Sequence, residues 1–307
     1  MNGIRLKSGG RAWYLEFGIL FHKMIEEYYT HFREPGFDAI DWAVKQGAQE
    51  WKKMDMDFHK DHKEYKTIGG FQGLAALLLS YAATFSKDNE RLRVIGTEIG
   101  FGKNKEVPLG LNGGVYFYLS GRIDLLVDDG VFICPVDHKT MGTFRRNPTA
   151  QFEIDEGPTG YVYAVSRILR SIVPEELYLR RKCNKIQMNF ISKTPVQPEA
   201  NRFQRVPLFK TEAALENYNY RQLATGKSVF ETLLRYFLGY PAMRDTSKCT
   251  NWYNTGCHYL PIHRQQSVRD EEIIKNSLYQ IQPIWDTETV GKEKGDADER
   301  RENVQTS

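Results

Sequence analysis

Cysteine is scarce: Cys134, Cys183, Cys249 and Cys257 are the four in 307 residues. They are too few and too scattered for a disulfide scaffold in a chain of this length. Long hydrophobic runs are missing as well. The longest, "LAALLLSYAA" from Leu74 to Ala83, is interrupted by Ser80 and Tyr81 and is too short to cross a bilayer. The N-terminus lacks the apolar core of a secretory signal, so the chain reads as cytoplasmic, with no membrane partner. Neither sign of charge dominates: 42 basic residues face 39 acidic ones, for a formal net charge of +3. That balance permits a nucleic-acid partner without demanding one, because such binding needs only a local basic face. A complete phosphate-binding loop is lacking too. "ATGKS" at Ala224–Ser228 has only the end of one and falls in a predicted helix.

With 41% hydrophobic residues, the chain can bury a large core in one large domain or two small ones. Phe17, Leu20, Phe21, Met24, Ile25 and Tyr28 recur at helical spacing, and a second such segment runs from about Phe71 to Phe85. Residues 1–93 therefore read as a helical N-terminal region. After Arg93 come short β-rich runs, "RVIGTEIGF", "GVYFYLSGRIDLLV" and "VFICPV", with Asp128-Asp129-Gly130 as a tight hairpin turn. A helix from Pro158, two strands ("KIQMNFISK" and "RFQRVPLF") and a long helix entered at Thr211 complete a core over 94–245. This order predicts an α/β fold, a mixed sheet flanked by helices. Residues 246–289 are expected to be a cysteine-pair region packed on that core, and 290–307 read as a charged, disordered tail.

Asp-His-Lys occurs twice, at 61–63 and at 137–139. The first copy lies in a charge-dense connection and reads as solvated loop. The second ends the apolar strand "FICPV", so Asp137 and Lys139 share one face and His138 points to the other. Asp124 lies in the preceding strand among Ile123, Leu125 and Leu126, where a carboxylate is costly without a partner. A turn near 129 places residue 124 beside roughly residue 134, within one or two pairs of Asp137. Two such carboxylates repel, and a hard divalent cation relieves the repulsion. The chemistry favoured is Mg2+- or Mn2+-assisted phosphodiester hydrolysis, with Lys139 orienting water or stabilising charge. An Asp-Lys salt bridge at a strand end, with an Asp capping a bulge, is the plainer alternative.

In order along the chain, "EFGILFHKMIEEYY", "GTEIGF", "GRID", "VDHKT" and "GPTGYVYA" resemble the motif series of the RecB-like branch of the PD-(D/E)XK nucleases, which includes phage and CRISPR-associated exonucleases. The resemblance covers about residues 15 to 265 and lies in order and spacing. It implies a restriction-endonuclease-like fold and a metal-dependent DNA exonuclease of recombination, repair or phage DNA processing. His22, Asp124 and Asp137 would be metal ligands together with the backbone carbonyl of His138, Lys139 would be catalytic, and Glu98 and Tyr161 would support it. A neutral imidazole suits Mn2+ better than Mg2+. Any helicase or recombination partner would be a separate chain.

Two positions depart from the family pattern. Gly157 stands where the family has a glutamine, four residues before the tyrosine, which motivates the alternative of a non-catalytic DNA-binding or assembly module. "CTNWYNTGCHYLPIH" resembles the cysteine cluster that holds an iron-sulfur centre in part of the family, yet His263 replaces the expected third cysteine and residues 1–21 supply none. Buried unligated cysteines rank first here, a zinc site on Cys249, Cys257 and His263 or His258 second, and an iron-sulfur cluster last. Arg145, Arg146, Arg181 and Lys182 are the candidate DNA-phosphate contacts.

Overall fold

The computed structural model describes residues 2–6, 13–102, 106–112, 114–142, 152–153, 155–195, 199–238 and 279–283. Arg145, Arg146, Cys249, Cys257, His263 and the tail at 290–307 lie outside the described residues. In chain order the elements are β1 (Asn2–Leu6), α1 (Trp13–Thr30), α2 (Ala39–Lys53), α3 (Lys63–Ile68), α4 (Gly70–Thr84), α5 (Asp88–Arg91), β2 (Arg93–Phe101), β3 (Val107–Asn112), β4 (Val115–Leu119), β5 (Gly121–Asp128) and β6 (Ile133–Met141). There follow α6 (Glu156–Ile172), α7 (Glu175–Arg180), β7 (Lys185–Ser192), β8 (Phe203–Phe209), α8 (Glu212–Phe237) and β9 (Tyr279–Pro283). No described helix is long and apolar enough to cross a membrane.

The chain divides into two units. The larger comprises 11–109 and 118–220. Its five-stranded sheet has the order β2-β5-β6-β7-β8, antiparallel throughout except for the parallel pair β6–β7. A parallel pair needs a crossover, and α6 with α7 supplies it. The mixed α/β architecture is the one expected. The smaller unit includes the antiparallel pair β1–β9 and most of α8. Within it Gly226 passes the ring of Phe117 so closely that an added Cβ would meet it at 2.7 Å. The glycine of "ATGKS" is thus a mid-helix packing position.

The apolar stripe of α1 fixes how the larger unit packs. Phe17, Leu20, Phe21, Met24, Ile25 and Tyr28 are all buried, sharing a core with Leu74, Leu77 and Leu78 of α4 and with Leu125, Val127, Cys134 and Val136 of the sheet. Asp38 caps α2 by accepting from Ile40 and Asp41 N–H groups, and Gly47 lets the Met24 side chain approach to 2.7 Å of where a Cβ would stand. Large-to-small changes at positions such as Leu20 cost about 2–5 kcal/mol.

Three local expectations change. The stretch "GVYFYLSGRIDLLV" breaks at Ser120 into β4 and β5, and β4 pairs with the unforeseen β3. The first Asp-His-Lys is exposed, but its Lys63 opens the short helix α3. The β5–β6 connection is not a tight turn at 129. The Asp129 carboxylate accepts from the Val131 and Phe132 N–H groups, and the Asp129 N–H donates to the Phe132 carbonyl, forming a loop over 129–132. Val127 therefore pairs with Cys134, and Leu125 with Val136.

Candidate active site

One step along that ladder from the Leu125–Val136 pair, Asp124 stands opposite Asp137. On its other side β5 pairs Thr97 with Leu125 and Ile99 with Ile123, which puts Glu98 opposite Asp124. Three carboxylates thus lie in one row across β2, β5 and β6. Glu98 has a left-handed backbone (φ 47°), a conformation that costs a non-glycine residue about 1–2 kcal/mol and that re-aims the side chain out of the regular ladder. Arg122 donates to Glu98 Oε2 at 2.9 Å.

Helix α1 crosses this row. At Gly18 an added Cβ would stand 3.3 Å from Thr140 Oγ1 of β6. One turn later His22 Nδ1 lies 3.4 Å from Asp124 Oδ2. A further turn on, Glu26 is close enough for its charge to act on Glu98, and Thr30 Oγ1 is 3.0 Å from Thr97 Oγ1 of β2. The i, i+4 repeat of the helix thereby meets successive strands, and the Gly-x-x-x-His spacing acquires a physical reason: the glycine admits the close approach that lets the histidine reach Asp124.

Lys139 Nζ sits 3.0 Å from Asp137 Oδ1 and 2.9 Å from Oδ2, and only the contact to Oδ1 has hydrogen-bond geometry. Asp137 Oδ2 is buried without a hydrogen bond. Asp124 Oδ2 accepts from the His138 N–H at 3.0 Å. Burial raises the carboxyls of Asp124, Asp137 and Glu98 above their ordinary range, against the lowering pull of Lys139 on the first two and of Arg122 on Glu98. His22 is lowered by burial even though the charges of Asp137 and Glu98 act the other way. Tyr161, half-buried on α6, feels the charges of Asp137, Asp124 and Glu98, and burial chiefly raises its phenol.

The predicted His22, Glu98, Asp124, Asp137, Lys139 and Tyr161 are therefore brought together, and the His138 backbone lies within hydrogen-bonding reach of His22. Among the described residues no three His, Cys, Asp or Glu side chains converge as a ready-made cation cage, and Lys139 lies against the Asp137 carboxylate. The donor set nonetheless fits a hard divalent cation: facing carboxylates, a partly exposed imidazole, and one buried carboxylate oxygen without a hydrogen bond.

Arg181 and Lys182 are not brought to this row. Arg181 is tied to buried Asp128 at 2.8 Å, and Lys182 is bridged through its backbone to Val131 and Ile133 at the hairpin end. Asp128 is four residues along β5 from Asp124, about 13 Å at strand rise. Gly157 lies in the first turn of α6, where, among the described residues, an added Cβ would meet only Asp155 Oδ1, at 3.5 Å. Arg122 and Glu26 escaped the sequence reading. Their signals were adjacency within "GRID" and the i+4 step from His22.

Residues 5–262 match the family described as the PD-(D/E)XK nuclease superfamily. A solved structure titled "Crystal structure of SSO0001" is similar at 12% identity, with a TM-score of 0.27, over 68% of this chain and 85% of that one. No curated protein sequence matches. The family match spans most of the chain and every strand of the five-stranded sheet, and the chain belongs to the PD-(D/E)XK nuclease superfamily.

Proposed function

We propose that this metal-dependent nuclease acts on DNA as an exonuclease of the RecB-like kind, with His22, Asp124, Asp137 and the His138 carbonyl holding Mg2+ or Mn2+. The observation that carries the reading is the row Glu98–Asp124–Asp137 with His22 and Lys139 at its centre, including the buried Asp137 Oδ2 that lacks a hydrogen bond. A cation bound there polarises the scissile phosphate and acidifies a bound water. Lys139 supplies positive charge beside Asp137 while its side chain stays 39% exposed, so it can orient the attacking water and offset charge developing on the phosphate. Glu98, held by Arg122, and Tyr161, held on α6, border the same space and position the substrate. Arg145 and Arg146, directly after β6, are the proposed phosphate contacts, and any helicase or recombination partner acts as a separate chain.

End-labelled linear DNA, single- and double-stranded, with Mg2+, Mn2+ or EDTA, tests the reading. Metal-dependent release of terminal nucleotides is expected, with circular DNA spared. Lys139→Ala should lose activity about 10²–10³-fold while Lys63→Ala keeps it. Folded protein that binds DNA without cleaving it under any metal would instead establish a non-catalytic DNA-binding module, the reading that Gly157 favours.

A further inference from the structure

Beside the catalytic row, where α1 and α4 cover the sheet, lies a buried polar network that the proposed chemistry does not use. Arg205 of β8 donates from Nη1 to both carboxylate oxygens of Asp88, at 2.8 and 2.9 Å, and from Nε to Asn189 Oδ1 of β7 at 2.9 Å. Tyr29 donates to Asp88 Oδ2 at 3.1 Å and meets Tyr81 hydroxyl to hydroxyl at 3.0 Å. Asn189 Nδ2 stands 3.0 Å from the Tyr81 hydroxyl and 3.2 Å from His138 Nε2. Asn189 and His138 are each 1% exposed.

Chemistry orients every link in this chain. Arginine only donates, so the Asn189 atom facing it must be the carbonyl oxygen, and the amide NH2 must face His138. The Tyr81 hydroxyl, 3.3 Å from His138 Nε2, can donate or accept, whereas the NH2 group at 3.2 Å only donates; it therefore selects Nε2 as the acceptor, and in the neutral ring the proton then resides on Nδ1. His138 Nδ1 lies 3.9 Å from Asp124 Oδ2, the oxygen that also takes the His138 backbone N–H.

Building on the metal-site reading above, we propose that Arg205 is a positioning residue for the cation-binding carboxylate Asp124, acting through Asn189 to hold His138 as its Nδ1–H tautomer. The N–H dipole then faces the carboxylate instead of a ring lone pair. Partners of this outer kind set ligand orientation, and their loss lowers metal affinity by about 10–100-fold.

The test combines ring 15N NMR of His138, assigned by loss of its signals in His138→Phe, with Mn2+ titration calorimetry. The unaltered protein should show the Nδ1–H tautomer, and the Nε2–H tautomer there would overturn the proposal. The double variant Asp88→Asn/Arg205→Gln removes both charges together, so neither is left buried and unpaired. It should show mixed tautomers and bind Mn2+ at least tenfold more weakly. Tyr81→Phe removes the hydroxyl that lies 3.3 Å from His138 Nε2 but leaves the Asn189 donor in place, and should keep both tautomer and affinity. Weaker Mn2+ binding in the double variant with an unchanged tautomer would reveal mere structural support, and unchanged affinity would remove the positioning role; either result sinks the proposal. Should the double variant fail to fold, the tautomer of the unaltered protein still decides. Absence of Mn2+ binding by the unaltered protein would defeat the metal-site reading itself, and the proposal with it.

Discussion

Asp61-His62-Lys63 and Asp137-His138-Lys139 are the same three residues in two environments. The Asp61 side chain is 88% exposed and reaches Lys66 at 3.6 Å, whereas that of Asp137 is 5% exposed, holds Lys139 and feels the charge of a second carboxylate, Asp124. His62 is exposed, while His138 is sealed against Tyr81 and Asn189. An exposed pair of opposite charges contributes about 0–1 kcal/mol. A buried carboxylate facing another keeps a standing demand for positive charge. Residue identity is common to both copies, so strand pairing and burial are what separate them.

The sharpest break in the comparison is charge removal. Asp137→Asn should abolish cleavage by about 10³-fold or more, whereas Asp61→Asn should leave it within twofold, measured on end-labelled DNA with saturating Mn2+. Next in size is the acid limb. Because burial raises Asp124 and Asp137, protons compete with the cation above the usual carboxylate range, and cleavage at low Mn2+ should fall as pH drops through that window. Higher Mn2+ should carry the limb to lower pH, and a limb indifferent to Mn2+ would point to another titrating group.

The same shifts make a stability statement. These carboxyls hold protons more tightly in the folded protein than in the unfolded chain. Their contribution is therefore full below the ordinary carboxylate range and is lost as pH rises through the raised folded values. In EDTA at neutral pH, Asp137→Asn should raise Tm by about 2–4 °C, while Asp61→Asn should not move it, as calorimetry would register. The smallest effect concerns the departure at 157. Since among the described residues only Asp155 Oδ1 borders that position, Gly157→Gln should be accommodated and should add about 0.5 kcal/mol through helix propensity. A few-fold gain in cleavage by this variant would show that the missing amide limits turnover.

Much of the sheet and the carboxylate pair was legible because alternation and helical periodicity are local signals. The strand carrying Asp137 and Lys139 on one face emerges directly from period two. Register was harder: the tight turn read at Asp128-Asp129-Gly130 places residue 124 beside 134, but the Asp129-capped loop brings Val127 there and sets Asp124 against Asp137. The β3–β4 hairpin was hidden because Val115–Leu119 and Gly121–Asp128 read as one β-rich run. Glu98's left-handed backbone has no sequence signal, since glutamate is an ordinary strand residue until the ladder skips it. The Arg205 network joins residues up to 176 positions apart, beyond the reach of any periodicity.

The β5–β6 hairpin that brings Asp124 and Asp137 together also bears on the order of folding. It is the most local pairing in the sheet, closing a loop over 129–132, whereas α1 must travel some 100 residues along the chain to bring His22 to the same carboxylates. Short-loop hairpins close in about 1–10 μs, and distant docking is slower. The repulsion between the carboxylates is therefore met before the histidine arrives, with Lys139 of β6 and Arg122 of β5 as early counterweights within the hairpin. Divalent cation should accordingly slow unfolding and leave the refolding rate of the metal-free chain nearly unchanged, since the full ligand set exists only once α1 has docked.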